Sequence, residues 1–159
     1  MAYRVGIGYD VHRRAPGRPL VLGGVPFESE WGLEGHSDAD VLLHAVGDAL
    51  LGAVALGDLG THFPPDDPRW KDVSSLELLR LIRALLDGRD ARVVNVDATI
   101  VAEEPRLAPK REAACVKIAQ ALRIGAAQVS IKATTPEGLG ALGRREGIAA
   151  MAVVLVEAP

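Results

Sequence analysis

The feature that most limits what this chain can fold into is its last apolar run, Ile148 to Val156. It is too short to cross a bilayer as a helix, which takes about 20 residues. It reads instead as a strand covered on both faces. Other strands are legible around it. Residues 3–9 form one, and Leu20-Val21-Leu22 with Val25-Pro26-Phe27 form a short hairpin around Gly23-Gly24. Val94, Val96, Ala98 and Ile100 alternate with Asn95, Asp97 and Thr99, which predicts a strand with one apolar and one polar face. Gln128 to Lys132 adds another.

Three helices fall between these strands. The first begins near Ser37 or Asp38, either of which can cap it, and runs through Val41, Leu42, Ala45, Ala49 and Leu50 toward Ala53. The second opens with a capping box, Ser74 to Glu77. It carries the stripe Leu78, Leu79, Ile82, Leu85 and Leu86 and stops at Gly88. The third starts at Pro109, a good first-turn residue, and ends before Gly125. Residues 57–73 read as a loop, because three prolines and four acids there oppose regular structure; loops of this length in compact domains are often lids or binding loops. Strands and helices do not alternate regularly. The prediction is therefore an α+β single domain over residues 1–159, a mixed β-sheet with helices packed on one face.

Composition removes several function classes. Apolar residues are 48% of the chain, enough for a core. A net charge of −3 with no basic tract gives no footprint for nucleic acid, and no run is long enough for a membrane span. The segment Met1 to Gly6 enters a strand pattern without the hydrophobic region of a signal peptide. The single cysteine, Cys115, lies on an apolar helix stripe with Ile118, Ala119 and Leu122. One cysteine forms no internal disulfide, which fits a reducing, cytoplasmic setting.

The chemistry concentrates near the start of the chain. Asp10 and His12 are two apart at a strand end and project from one face. Asp40 and His44 are four apart where the pattern turns helical and share a helix face. One strand edge and one helix face can thus bring Asp10, His12 and His44 together. Two imidazoles and a carboxylate with a fourth position open suit a catalytic zinc ion. Asp40 and Asp48 share the His44 face, so either could orient its second ring nitrogen, with Asp40 nearer the donor set. His36 and Ser37 adjoin the group.

Gly138-Leu139-Gly140-Ala141-Leu142-Gly143 matches a dinucleotide-binding fingerprint, but a strand follows it rather than a helix, so no βαβ unit exists there. Lys132-Ala133-Thr134-Thr135-Pro136-Glu137 offers hydroxyls and amides to phosphate oxygens and a hard oxygen ligand at Glu137; the same threonines also suit a capped turn. The segment Val101 to Pro109 leaves a strand and enters a helix, where its carbonyls and amides could read a base edge.

Taken together, these blocks resemble the 2-C-methyl-D-erythritol 2,4-cyclodiphosphate synthases. The resemblance is carried by Gly6-Ile7-Gly8-Tyr9-Asp10-Val11-His12, by Gly35-His36-Ser37-Asp38-Ala39-Asp40 with His44, and by Leu56-Gly57-Asp58-Leu59-Gly60 before Phe63-Pro64. It continues through Asn95 to Ile100, Lys132-Ala133-Thr134-Thr135 with Glu137, and Gly143-Arg144-Arg145-Glu146-Gly147. The resemblance implies a homotrimer with active sites between subunits and zinc on Asp10, His12 and His44. It also implies that Glu137 ligates magnesium or manganese together with substrate phosphates. His36 and Ser37 would lie near the phosphates. Asp58, Leu59, Gly60, Phe63 and the pair Asp66 and Asp67 would hold the methylerythritol part. Ala102, Pro105, Arg106, Leu107, Ala108, Ala133, Thr134 and Thr135 would face the cytidine diphosphate, with Arg144 adding charge.

The chain departs from the family pattern where relatives commonly carry Phe-Pro-Asp-x-Asp, since it has Phe63-Pro64-Pro65-Asp66-Asp67. Arg106 replaces a common lysine, and Ala141 stands where an aromatic is frequent. The reaction implied is ring closure within 4-diphosphocytidyl-methylerythritol 2-phosphate: a phosphate oxygen attacks the β-phosphorus and CMP leaves. The protein's main work is then positioning and charge stabilisation, with His36, Ser37, Asp40, Thr135 and Glu137 closest to the chemistry. The same open site could instead activate water for phosphoester hydrolysis, and a closed one would suit a binding module.

Overall fold

The structure, a computed structural model, describes residues Met1–Pro159. Seven strands are present: β1 (Ala2–Pro16), β2 (Leu20–Leu22), β3 (Val25–Phe27), β4 (Trp31–Leu33), β5 (Arg92–Val101), β6 (Val129–Thr134) and β7 (Gly147–Ala158). Five of them form one sheet in the order β4-β1-β7-β5-β6, and β2 and β3 form the expected hairpin. All sheet neighbours run antiparallel except β5 and β6. The helices are α1 (Val41–Ala53), α2 (Leu59–His62), α3 (Ser75–Asp87), α4 (Arg111–Leu122) and α5 (Gly140–Gly143). The mixed sheet and the α+β class are as predicted. None of the helices is long and apolar enough to cross a membrane.

Helix α1 is apolar nearly all round, and it is buried between β1 and β7 on one side and α3 on the other. Its close seat depends on two glycines. A Cβ on Gly6 would stand 1.8 Å from the Ala49 carbonyl oxygen, and one on Gly8 would stand 1.9 Å from that of Ala45. No side chain fits at either position, so the helix backbone lies directly on the strand backbone. Even-numbered residues of β1 therefore face α1, and Asp10 and His12 continue that row past the helix start.

Several boundaries differ from the sequence reading, each for a local reason. Strand β1 continues to Pro16 because β7 pairs with it as far as Arg13 and β4, which the sequence did not reveal, pairs with Arg14 to Pro16. The cap of α1 is Asp40, whose carboxylate accepts from the Leu43 amide, rather than Ser37 or Asp38. The capping box of the second helix is absent. Ser74 makes no side-chain cap, Glu77 pairs with Arg80, and Asp38 accepts from the Ser75 amide at 2.9 Å instead. The stretch 57–73 is not wholly irregular: Asp58 caps the one-turn α2, and Asp67 caps a 3₁₀ turn over Pro68–Trp70. In β5 a bulge between Val93 and Asn95 shifts the buried set to Val93, Val96, Ala98 and Ile100, leaving Val94 half-buried. The third helix starts with a 3₁₀ turn over Ala108–Lys110 and ends on Arg123 in the left-handed conformation, ahead of Gly125. Cys115 is half-buried beside the core.

The largest difference concerns β7. Its inner row, with Ala150, Ala152, Val154 and Val156, is buried, but Met151 and Val153 are 44% and 45% exposed. They sit directly across from Tyr9 and Ile7 of β1, which are 58% and 73% exposed. Val5 and Val11 extend the row. The second cover implied by the apolar run is thus not supplied by this chain itself. The glycine-rich segment forms only the single turn α5 before β7, so no dinucleotide fold exists there.

Candidate metal centre and substrate cavities

Asp10 and His12 project from β1 toward the first turn of α1, where the Asp40 cap fixes His44. Asp10 Oδ2 lies 2.7 Å from His12 Nε2 and 3.1 Å from His44 Nδ1. The two ring nitrogens are 3.1 Å apart. A tetrahedral ion with ligands near 2.0–2.1 Å has ligand–ligand edges of about 3.3 Å, close to this triangle, so the donor set fits a zinc-type ion. The other ring nitrogens are engaged. His12 Nδ1 donates to the Glu34 carbonyl at 2.6 Å, which turns its Nε2 toward Asp10 and the centre. His44 Nε2 lies 3.1 Å from both Ser37 Oγ and Ser75 Oγ. Burial alone would raise the Asp10 carboxyl, but hydrogen bonds and charge from His12 and His44 hold it well below the usual carboxylate range. For His12, burial opposes protonation and the Asp10 carboxylate more than offsets it, so its pKa is raised.

Asp40 does not make the contact expected of it. Its fully buried carboxylate accepts from the amides of Gly23, Gly24 and Leu43, so it ties the hairpin to α1. Asp48 accepts from the Leu59 amide at 2.8 Å and ties α1 to α2. The hydroxyls of Ser37 and Ser75 stand where a carboxylate was expected beside His44.

A cavity of about 350 Å³ opens on the triad. It brings together Asp10, His12 and His44 with His36, Ser37, Asp58, Leu59, Gly60 and Phe63, all expected from the sequence. His36 Nε2 is held by the Asp67 backbone carbonyl at 3.1 Å, and Asp58 holds Thr61 through both its amide and its hydroxyl. Asp66 and the Asp67 side chain are not in the wall. The Asp67 carboxylate is bound to the Arg69 guanidinium at 2.6 Å, which holds its pKa down. Asp48, Pro65, Trp70 and Leu78 line the cavity without having been singled out as binding residues. Trp70 packs edge-on against Phe63, with ring centroids 5.0 Å apart; an aromatic in a stretch of Pro and Asp was the available signal. His62, the remaining histidine, binds the Leu56 carbonyl and takes no part.

A second cavity, about 200 Å³, lies where the parallel strands β5 and β6 end side by side. Strand ends of this kind are a common ligand position in sheets with parallel pairs. Its wall contains Ala102, Pro105, Arg106, Leu107, Ala108, Ala133, Thr134 and Thr135, the whole set expected to face a nucleotide. Glu103 and Arg111 belong to it as well and were missed. Glu137 and Arg144 are not in the wall. Glu137 accepts from Thr135 Oγ1 at 3.0 Å, and Arg144 pairs with Glu146 at 3.0 Å. The two cavities share no residue.

Fold and donor set define a class, an α+β domain with an open pocket whose three donors suit a metal ion. Residues 3–157 match the model of the YgbB family, and the chain belongs to that family. It is 59% identical over 154 residues to the 2-C-methyl-D-erythritol 2,4-cyclodiphosphate synthase of Syntrophomonas wolfei, covering 97% of this chain and 98% of the relative. It is 60% identical over 151 residues to the bifunctional enzyme IspD/IspF of Anaeromyxobacter dehalogenans, covering 95% of this chain but only 39% of that longer protein. Among solved structures, a CDP-bound 2C-methyl-D-erythritol-2,4-cyclodiphosphate synthase superposes with a TM-score of 0.88 at 37% identity, covering 97% of this chain and 100% of the other.

Proposed function

We propose that this chain converts 4-diphosphocytidyl-2-C-methyl-D-erythritol 2-phosphate to 2-C-methyl-D-erythritol 2,4-cyclodiphosphate and CMP. The observation that carries this reading is the pairing of an open metal triad, beside His36 and Ser37, with a separate cavity of hydroxyls, amides and Arg106 at the strand ends. Together they offer one place for a cyclising phosphate and one for a cytidine diphosphate. The family and its relatives support the same reaction.

A zinc ion on Asp10, His12 and His44 would supply Lewis acidity for phosphate oxygens. The remaining work belongs to the chain. His36 and Ser37 flank the triad and position phosphate oxygens. Asp58, Leu59, Gly60 and Phe63 hold the polyol, and Thr134 and Thr135 hold the nucleotide's phosphates. Glu137 offers one hard oxygen for a magnesium or manganese ion shared with those phosphates. Because the substrate reacts with itself, fixing its two ends supplies much of the rate. The uncovered apolar row on β1 and β7 supports self-association of the chain; the family resemblance makes that assembly a homotrimer with active sites between subunits.

Phosphorus NMR with this substrate and magnesium, with and without zinc, tests the reaction. Zinc-dependent CMP and a cyclic diphosphate are expected; CMP with a linear product would assign hydrolysis, and an unchanged spectrum a binding role. His44→Ala is expected to lose zinc and activity together, and stoichiometric zinc in that variant would overturn the ligand assignment.

A further inference from the structure

Ser75 sits at the start of α3 and is only 1% exposed. Its Oγ donates to Asp38 Oδ1, and its amide donates to Asp38 Oδ2 at 2.9 Å. A carboxylate has no proton to give, so the Ser75 hydroxyl proton must point at Asp38. That leaves a Ser75 lone pair facing His44 Nε2, 3.1 Å away. His44 in turn must carry its proton on Nε2 if Nδ1, beside Asp10, is to donate a lone pair to an ion. Ser37 also lies 3.1 Å from Nε2, but no carboxylate fixes its proton as Asp38 fixes that of Ser75.

We propose that Ser75, oriented by Asp38, is the positioning residue that fixes the tautomer and ring angle of His44 for metal binding. The same carboxylate also starts α3, so one side chain couples a helix N-terminus to the metal centre. The inference rests on the reading of Asp10, His12 and His44 as zinc ligands.

Zinc affinity of the purified protein, measured by competition with a chelator and with zinc alone as the probe, tests it alongside nitrogen-15 NMR of the imidazoles. Ser75→Ala is expected to bind zinc about 10–100-fold more weakly and, once zinc-loaded, to shift the nitrogen-15 signal of the His44 Nε2–H that faces Ser75 in the parent. Ser75→Thr, which restores a hydroxyl, should recover most of the affinity, and Ser74→Ala should change neither readout. If Ser75→Ala does not fold, Asp38→Asn decides, since Ser75 stays in place but loses its fixed proton direction; weaker zinc binding and the same signal shift are expected there too. Wild-type zinc affinity and an unshifted His44 signal in a folded Ser75→Ala or Asp38→Asn protein would overturn the inference. Zinc retained by His44→Ala would instead overturn the ligand assignment beneath it.

Discussion

The two faces of β1 differ in almost every respect. The inward row, Gly6, Gly8, Asp10 and His12, loses its side chains where α1 lies on it and regains them where the metal pocket opens. The outward row, Tyr3, Val5, Ile7, Tyr9 and Val11, is large, apolar and exposed. A period of two allows this: each face answers to a different partner, and neither constrains the side chains of the other. Yet both hang from one backbone. Any shift that reseats the outer row against a neighbour would be transmitted to Asp10 and His12, so the strand that presents the exposed apolar row also carries two of the three candidate donors.

The contrast can be broken from either side. Gly8→Ala should have the largest effect, because the new Cβ would lie 1.9 Å from the Ala45 carbonyl oxygen. A loss of about 3 kcal/mol is expected, the upper end for overpacking, with zinc affinity falling alongside; urea unfolding of the metal-free protein measures it. Ile7→Asp on the other face should leave the fold and zinc stoichiometry intact while reducing the proposed trimer to single chains by sedimentation. An assembly that survives this change would place the interface elsewhere.

A smaller effect is expected beside the pocket. Burial pushes the Asp40 carboxyl up to about 6, with Asp38 adding to the shift, against three amide hydrogen bonds that favour the anion. The folded protein then holds a proton that the unfolded chain has already released. Stability from this group is therefore present below its unfolded value of 3.8 and is lost as pH rises through about 6. Asp40→Asn should flatten that part of the curve, read as the difference in urea midpoint between variant and parent from pH 4 to 7. Ser74→Ala should be the smallest change, under about 0.5 kcal/mol, because that side chain caps nothing; a loss near 1 kcal/mol, usual for a working cap, would show that Asp38 does not do the capping.

Periodicity and donor chemistry were enough to read the mixed sheet, the hairpin and the triad of Asp10, His12 and His44. What escaped depends on contacts between distant segments. Asp38 caps a helix that starts 37 residues later, and Ser75 reaches His44 across 31 residues. Neither is visible in a local window, so Ser74 and Glu77 imitated a capping box and Asp40 was favoured to orient His44. Strand β4 has only three residues and owes its existence to β1. The apolar run of β7 was legible as a strand, but a sequence does not say whether its second cover is the same chain or another. The bulge at Val94 moved one apolar residue out of the buried row, and nothing in the alternation marks it.

The seam between α1 and β1 has a further consequence. Gly6, Gly8, Ala45 and Ala49 possess no side-chain torsions, so the contact has no rotamers with which to relax. A joint packed by leucines can absorb a misfit by swivelling; this one can only translate two backbones. The span from Asp10 to His44 is thereby held like the jaws of a caliper, its gap set by four residues outside the donor set. An ion held there, as proposed, would be gauged by the hydrophobic core, and a methyl group added to the seam would register as a change of metal preference.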